Sequence, residues 1–208
     1  MSDYFYRGQF NKYEISSELT NSLKRINEST EKYEFFSEKD GLMIPKTTVF
    51  LSHKHDDLDF KEVQHIIKFL ESRYNVKVYI DSRDPNMPLT TNKKTAQRIK
   101  EKIINSDKFI FLATNNAIQS MWCNWEVGFG DFAKLDENNL AIFPMLDDKT
   151  DLKGYKGNEY LNLYPSIVFE NGTQLYSDGS RINKGYYIKK KDNGSIIYTR
   201  LKDWFNEQ

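Results

Sequence analysis

Trp122 and Glu126 stand four residues apart in the string WCNWE, so on a helix the indole and the carboxylate lie one turn apart on the same side. Taken alone, such a pair is most simply a core tryptophan beside a surface glutamate. Chemistry requires other groups to converge on it, and three further strings invite chemistry of other kinds. His53, His55 and Asp57 spell H-x-H-x-D, the opening of a dinuclear metal-hydrolase ligand set. That set would want a histidine where the chain has Leu58 and more histidines downstream, and the only other histidine is His65. No metal is expected, and the loop histidines read as solvated or substrate-facing groups. Gly128, Gly130 and Ala133 match G-x-G-x-x-A, but they lie within a helical segment with no strand leading into them, so the dinucleotide fingerprint lacks its context. The glycines suit a close approach to a sheet, or a bend. Phosphate-binding loops of the G-x-x-x-x-G-K-[ST] kind are absent. Cys123 beside a histidine-rich loop suggests a thiol nucleophile, yet nothing supplies a third, orienting group, and lone cysteines are usually buried and inert.

The elements that must position these residues follow from periodicity. After Pro45, the β-branched and aromatic run Thr47–Leu51 predicts a first strand ending in the polar cluster Ser52, His53, Lys54, His55. Asp59 and Glu62 read as a helix start, and Val63, Ile66, Ile67, Leu70 and Tyr74 keep helical spacing behind it. Val76–Asp81 predicts a second strand, followed by an exposed loop from Ser82 that Pro85, Asn86 and Pro88 keep irregular. Ala96, Ile99 and Ile103 mark a second helix, KFIFLA from Lys108 to Ala113 a strand buried on both faces, and Trp122, Glu126, Phe129 and Ala133 one side of a third helix. LAIFPM from Leu140 to Met145 completes the alternation as a fourth strand. Strand and helix alternating over short connections argue for an α/β fold, a flavodoxin-like doubly wound parallel sheet with its ligand site at the strands' carboxyl ends. Those ends carry Ser52, His53, Lys54 and Asp81. Beyond Pro144, Asn171–Gly172 and Asn193–Gly194 each lie between apolar runs and predict two hairpins, although Ile167–Phe169 equally suits a fifth parallel strand.

Leu19, Leu23 and Ile26 suggest a helix over Ser17–Phe36. The expected organisation is therefore a helical amino-terminal extension over residues 1–45, a main domain over 46–170, and a hairpin-rich carboxyl-terminal extension over 171–208 packed upon it. The chain's 208 residues include 30 Lys+Arg and 30 Asp+Glu, so no global field attracts nucleic acid or an anionic membrane. A single cysteine forms no internal disulfide, no apolar run reaches the ~18 residues of a membrane span, and MSDYFYRGQF lacks a secretory core. A cytoplasmic protein without nucleic-acid or membrane partners is expected.

Four blocks in order, VFLSHKHDD, VYID with its proline-bearing loop, FIFLAT and WCNWEVG, resemble the signature of Toll/interleukin receptor (TIR) domains over about residues 47–145. In bacterial, plant and some animal members a W-x-x-x-E motif on the third helix carries NAD⁺ glycohydrolase activity, and here that motif falls on Trp122 and Glu126. The resemblance implies Glu126 as the catalytic carboxylate and Trp122 as a base- or ribose-stacking group. It also places Ser52, His53 and Lys54 in the loop lining the nucleotide site, Asp81 at the end of the second strand, and Ser82–Thr95 as the mobile "BB" loop. Lys54 or Arg83 would hold the pyrophosphate. NAD⁺ enters as substrate, with no cofactor.

Breaking the nicotinamide-ribose bond develops oxocarbenium character that a nearby carboxylate can stabilise, and nicotinamide leaves neutral, so no general acid is needed. The expected function is release of nicotinamide with linear or cyclic ADP-ribose as a signal in bacterial antiphage immunity, read by a downstream effector. A homo-oligomer through the Ser82–Thr95 loop, with Met87 and Leu89 as apolar contacts, is expected to complete the site. Two other readings share the fold: a non-catalytic TIR adaptor acting by homotypic assembly, and a flavodoxin-like enzyme of nucleoside N-glycosidic transfer.

Overall fold

The computed structural model describes residues 3–13, 47–55, 60–84, 92–134, 138–148 and 159–207. Its strands are β1 (Phe5–Tyr6), β2 (Thr47–Ser52), β3 (Val76–Tyr79), β4 (Lys108–Ala113), β5 (Leu140–Leu146), β6 (Ser166–Glu170), β7 (Gly185–Asp192) and β8 (Ser195–Arg200). Its helices are α1 (Phe60–Tyr74), α2 (Lys93–Asn105), α3 (Asn115–Gln119), α4 (Met121–Lys134) and α5 (Leu201–Asn206). They form one sheet of order β3-β2-β4-β5-β6-β7-β8. The first five run parallel in the doubly wound order, and β7 and β8 extend the sheet antiparallel. Among the described residues no helix is long and apolar enough to cross a membrane.

Alternation along β2 decides which face each residue serves. Val49 and Leu51 join a core with Val63, Ile66 and Leu70 of α1 and Leu201, Trp204 and Phe205 of α5. Phe50 points the other way, into a core with Ile99 and Ile103 of α2 and Cys123 and Val127 of α4. Both β4 and β5 are buried along their whole length, as strands covered on two faces must be. Helix α2 starts at a capping box in which Asn92 accepts from the Thr95 backbone N–H and the Thr95 hydroxyl accepts from Asn92.

The structure corrects several sequence expectations. The exposed loop after Ser82 does not extend to Thr95, because Lys93–Thr95 already form the first turn of α2; Arg83 closes a 3-10 turn over Asp81–Arg83, and Met87 and Leu89 lie outside the described residues. On α2 the buried stripe is Thr95, Ile99, Ile103 rather than one begun by Ala96. On α4 it is Cys123, Glu126, Val127, Gly130 and Lys134, with Trp122, Phe129 and Ala133 half-buried on its flank. Asn171–Gly172 does not close a hairpin. The Asn171 side chain accepts from the Thr173 backbone and hydroxyl, an Asx-turn that opens a longer loop, and β6 finds its antiparallel partner in β7. Asn193–Gly194 does close one, with φ of 47° and 81° between β7 and β8, the left-handed pair a two-residue turn needs. Ile167–Phe169 lie in β6, parallel to β5 and antiparallel to β7.

The helix expected over Ser17–Phe36 and the cap at Asp59 lie outside the described residues. Residues 3–13 contribute β1, which pairs parallel with Met145 and Leu146 at the end of β5, and a 3-10 turn at Asn11–Tyr13. Phe5 and Phe10 pack on Phe143 at ring separations of 4.6 and 5.6 Å. β5 and β6 share register only at Ile142 and Ser166.

Candidate active site

Ser52 ends β2 two residues after Phe50, so the pleat turns its hydroxyl toward the face beneath α4. Glu126 lies on the stripe of α4 that descends onto that face. The two meet: Ser52 Oγ donates to Glu126 Oε2 at 2.5 Å, and Glu126 is only 2% exposed. A glutamate at a helix position one turn from a half-buried tryptophan is here a core residue, not a surface one. Burial drives its carboxyl up to about 8, opposed by the Ser52 hydrogen bond, reinforced by the negative charge of Asp81, and opposed further by His55 and by a hydrogen bond with the Trp122 side chain. Burial thus favours the neutral acid of Glu126 over its carboxylate.

Asp81 follows β3, the parallel neighbour of β2. Its Oδ1 accepts from the Ser82 backbone N–H at 2.8 Å and contacts His55 Nε2 at 2.7 Å. The histidine facing outward is thus His55, whose side chain is 51% exposed; His53 is buried, with its ring 5.2 Å from that of His55. Sequence reasoning placed His53 in the site and left His55 as a neighbour. The usable signal was an imidazole two positions further along the loop, in reach of a carboxylate ending the adjacent parallel strand. Lys54 is half-buried, and the Arg83 side chain lies outside the described residues.

Trp122 packs on Trp125 at 4.9 Å between ring centroids, and Trp125 stacks on Phe129 at 6.3 Å. Lys100 of α2 lies over both Trp125 and Phe129, at 5.7 and 5.3 Å. Of these rings only that of Trp122 also meets the Glu126 carboxyl. Asp84 accepts two hydrogen bonds from the Arg98 guanidinium, at 2.7 and 3.0 Å, and one from the Tyr79 hydroxyl at 2.8 Å. That bidentate pair ties the exit of β3 to α2. Cys123 is 2% exposed, and burial pushes its thiol up to about 11, the state of an inert packing cysteine rather than a nucleophile. A cavity of about 160 Å³ lies elsewhere, between β5 and β6, lined by Tyr4, Pro144, Tyr164, Ser166, Lys189 and Lys191 among others. It contains none of the residues above.

A doubly wound parallel sheet with polar groups gathered at its strands' carboxyl ends defines a flavodoxin-like α/β protein, and those groups lie where that class binds ligands. The chain belongs to the TIR domain family, whose model matches residues 49–174. It is 28% identical over 161 residues, 76% of this chain and 75% of the other, to a probable 3' cyclic ADP-D-ribose synthase, ThsB', of Bacillus cereus (strain MSX-D12). A stretch of 55 residues is 38% identical to Toll-like receptor 2 of Boselaphus tragocamelus, covering 26% of this chain and 7% of that protein. A prokaryotic SEFIR domain of solved structure gives a TM-score of 0.42 at 12% identity, covering 60% of this chain and 88% of that one.

Proposed function

We propose that this protein is an NAD⁺ glycohydrolase in which Glu126 stabilises the ribosyl cation formed as nicotinamide departs. The observation that carries the reading is the buried Ser52–Glu126 contact beside Trp122, among residues of which the family resemblance implies Glu126 as catalytic and Ser52 and Trp122 as substrate-binding. The relationship to a protein named as a probable cyclic ADP-ribose synthase supports the same chemistry. In this reading the bond between the ribose anomeric carbon and the nicotinamide nitrogen breaks with its electron pair going to nitrogen, so nicotinamide leaves neutral and the sugar carries the positive charge. The Glu126 carboxylate faces that charge in a site of low dielectric, where the attraction is worth most. Because burial favours the neutral acid in the free protein, binding of the cationic nicotinamide ring is what favours the anion. Water then adds to the sugar to give linear ADP-ribose and a proton, or a hydroxyl or the adenine of the same molecule adds and gives a cyclic product.

Trp122 shields one side of the cation from water. Ser52 holds the carboxyl by its hydrogen bond, and the nucleotide is held by Lys54 and Asp81, with the role given to His53 and Arg83 by the family resemblance resting on that resemblance alone. The ADP-ribose product serves as a signal in bacterial antiphage defence, read by a separate effector. Assembly of like chains through the loop beginning at Ser82 completes the site in this reading, the loop leaving the end of β3 where Asp81 stands. Chromatography of nicotinamide and ADP-ribose after incubation with NAD⁺ tests the reading. Wild type releases nicotinamide and Glu126→Gln loses at least ~100-fold, the cost of removing one transition-state charge partner. Equal activity removes Glu126 from the mechanism, and no release by either favours a non-catalytic adaptor that works by assembly.

A further inference from the structure

Strands β5 and β6 run parallel but meet at one point, where the Ile142 N–H donates to the Pro165 carbonyl at 2.8 Å and Ile142 stands level with Ser166. Two positions further along β5 comes Pro144, which has no N–H to offer a neighbour. By Met145 and Leu146 the same edge of β5 is taken by β1, since β4 holds the other. The sheet therefore forks, and the cavity of about 160 Å³ lies at the fork.

Its lining divides by chemistry. Ile142, Pro144 and Leu161, with Tyr4 and Tyr164, give apolar and aromatic surface, whereas Asn162, Ser166 and Lys191 bring hydrogen-bond donors. Among the described residues none of those three side chains has a hydrogen-bond or ionic partner. Lys189 also lines the cavity, but Asp3 accepts from it at 2.9 and 3.1 Å. Lys191, two positions along β7 and so on the same face, is left as the cation without a carboxylate. We propose that this fork is a binding site for a small single-ring aromatic carboxylate, its ring on the apolar lining and its carboxylate on Lys191, Ser166 and Asn162.

Size decides the first half of that assignment. A cavity of about 150 Å³ holds a benzene ring, so one ring fits here and a nucleotide does not. Charge decides the second half. Two lysines stand against one aspartate in the lining, and a planar carboxylate accepts at both oxygens from an ammonium and neutral donors together, the stronger kind of hydrogen bond. Inorganic phosphate would meet the donors and leave the apolar lining in water; a neutral ring would cover that lining and leave the ammonium unmet. None of these residues belongs to the Ser52–Glu126 site, so the inference is independent of the function proposed above.

The test titrates the ¹⁵N-labelled full chain with benzoate, benzamide and inorganic phosphate and follows the backbone amide shifts. Benzoate saturates shifts at Asn162, Ser166 and Lys191 with a Kd of about 1 mM or tighter, within the range open to a single-ring ligand. Benzamide and phosphate each bind at least ~10-fold more weakly. Lys191→Glu, at an exposed position, weakens benzoate at least ~10-fold and leaves the melting temperature unchanged. Asn162→Ala, also at an exposed position, weakens it about threefold. Absence of saturable shifts at about 10 mM benzoate overturns the proposal, as does benzoate binding that Lys191→Glu leaves unmoved. Equal binding of benzamide removes the carboxylate from the assignment, equal binding of phosphate removes the ring, and shifts centred on Ser52 and Glu126 place the ligand in the other site; each of these also overturns it.

Discussion

The two ends of the parallel sheet treat polar groups in opposite ways. At the amino ends, Thr48 donates from backbone and hydroxyl to Asp107 Oδ2 at 2.6 and 2.8 Å, and its hydroxyl accepts the Asp107 N–H at 3.0 Å. Lys108, 1% exposed, donates to Asn139 and lies 4.9 Å over the Trp204 ring, whose Nε1 donates to the Asn138 carbonyl at 2.6 Å. Each of these contacts joins groups of complementary sense, although the side-chain oxygen of Asn138 among them is buried without a hydrogen-bond partner. At the carboxyl ends, Glu126 is buried with the charge of Asp81 opposing its ionisation. Selection for stability alone produces the first arrangement, because a buried charge with a like-charged neighbour costs free energy. The second persists where the cost has a use, and the role proposed for Glu126, a carboxyl that ionises against a cation, is such a use.

The comparison breaks first at Trp204. Trp204→Ala removes a fully buried ring together with its hydrogen bond and the cover over Lys108, and about 3–5 kcal/mol of stability goes with it. Denaturant unfolding measures that loss, while nicotinamide release per folded molecule stays at the wild-type level. A variant with intact stability and impaired turnover would mean that the amino end of the sheet is not the structural end.

Glu126→Gln reverses that pattern and adds a pH signature. A folded-state value of about 8 lies above the ~4.3 of a free glutamate, so between those values the folded chain keeps a proton that the unfolded chain has released. Wild-type stability therefore falls as pH rises from about 4 to about 8 and stays lowered above it. The glutamine carries no such penalty, and the melting temperature of Glu126→Gln relative to wild type climbs over that window. A difference that is flat from pH 4 to 8 would show that the carboxyl ionises freely. Turnover by wild type depends on the anion and so rises with pH on the acidic limb, the opposite trend to its stability. A smaller effect is expected at Trp122. Trp122→Ala opens one side of the site to water, shifts product toward linear ADP-ribose and lowers release by roughly tenfold, about 1.4 kcal/mol of barrier. An unchanged product ratio would leave Trp122 a packing residue.

What the sequence disclosed about these two ends was uneven for a physical reason. Strands β2, β4 and β5 and helices α1 and α4 were legible because β-branched runs and helical spacing are local signals, and the doubly wound order follows from their alternation. Trp122 and Glu126 were found through a motif, and their proximity through the length of one helical turn. The Ser52–Glu126 contact spans 74 positions and the His55–Asp81 contact 26, and nothing local specifies either. Phe5–Tyr6 was invisible as a strand because two residues carry no period; only their register with Met145 and Leu146 makes them one. Asn171–Gly172 misled because the same dipeptide serves a hairpin and an Asx-turn, and the choice lay with β7, which displaced the nearer segment as the partner of β6. The loop's carboxyl boundary was overrun because Asn92 carries a cap that is recognisable only once Thr95 is seen returning its hydrogen bond.

The smallest expected effects concern Gly128 and Gly130, which look alike in the sequence and stand on different sides of α4. A Cβ at Gly130 would lie 3.1 Å from the Phe109 ring, and that ring is buried and stacked on Phe50 at 5.6 Å with an interplanar angle of 7°. Neither ring can retreat without disturbing the core beneath the active-site helix. Gly130→Ala therefore overpacks the contact and costs about 1–3 kcal/mol. Because α4 carries Glu126 one turn earlier, the displaced helix also lengthens the Ser52–Glu126 contact, and turnover falls with stability. At Gly128 a Cβ would meet nothing within 4 Å, and the residue is exposed in a helix interior. There alanine lowers the backbone entropy of the unfolded chain and removes a poor helix former at no steric cost, so Gly128→Ala stabilises by about 0.5–1 kcal/mol. Thermal unfolding of the two variants beside wild type reads both signs at once. If Gly128→Ala destabilises, the open side of α4 is covered in solution, and the cover would be another chain, in keeping with the exposure of Met121 and Phe132 on the same helix.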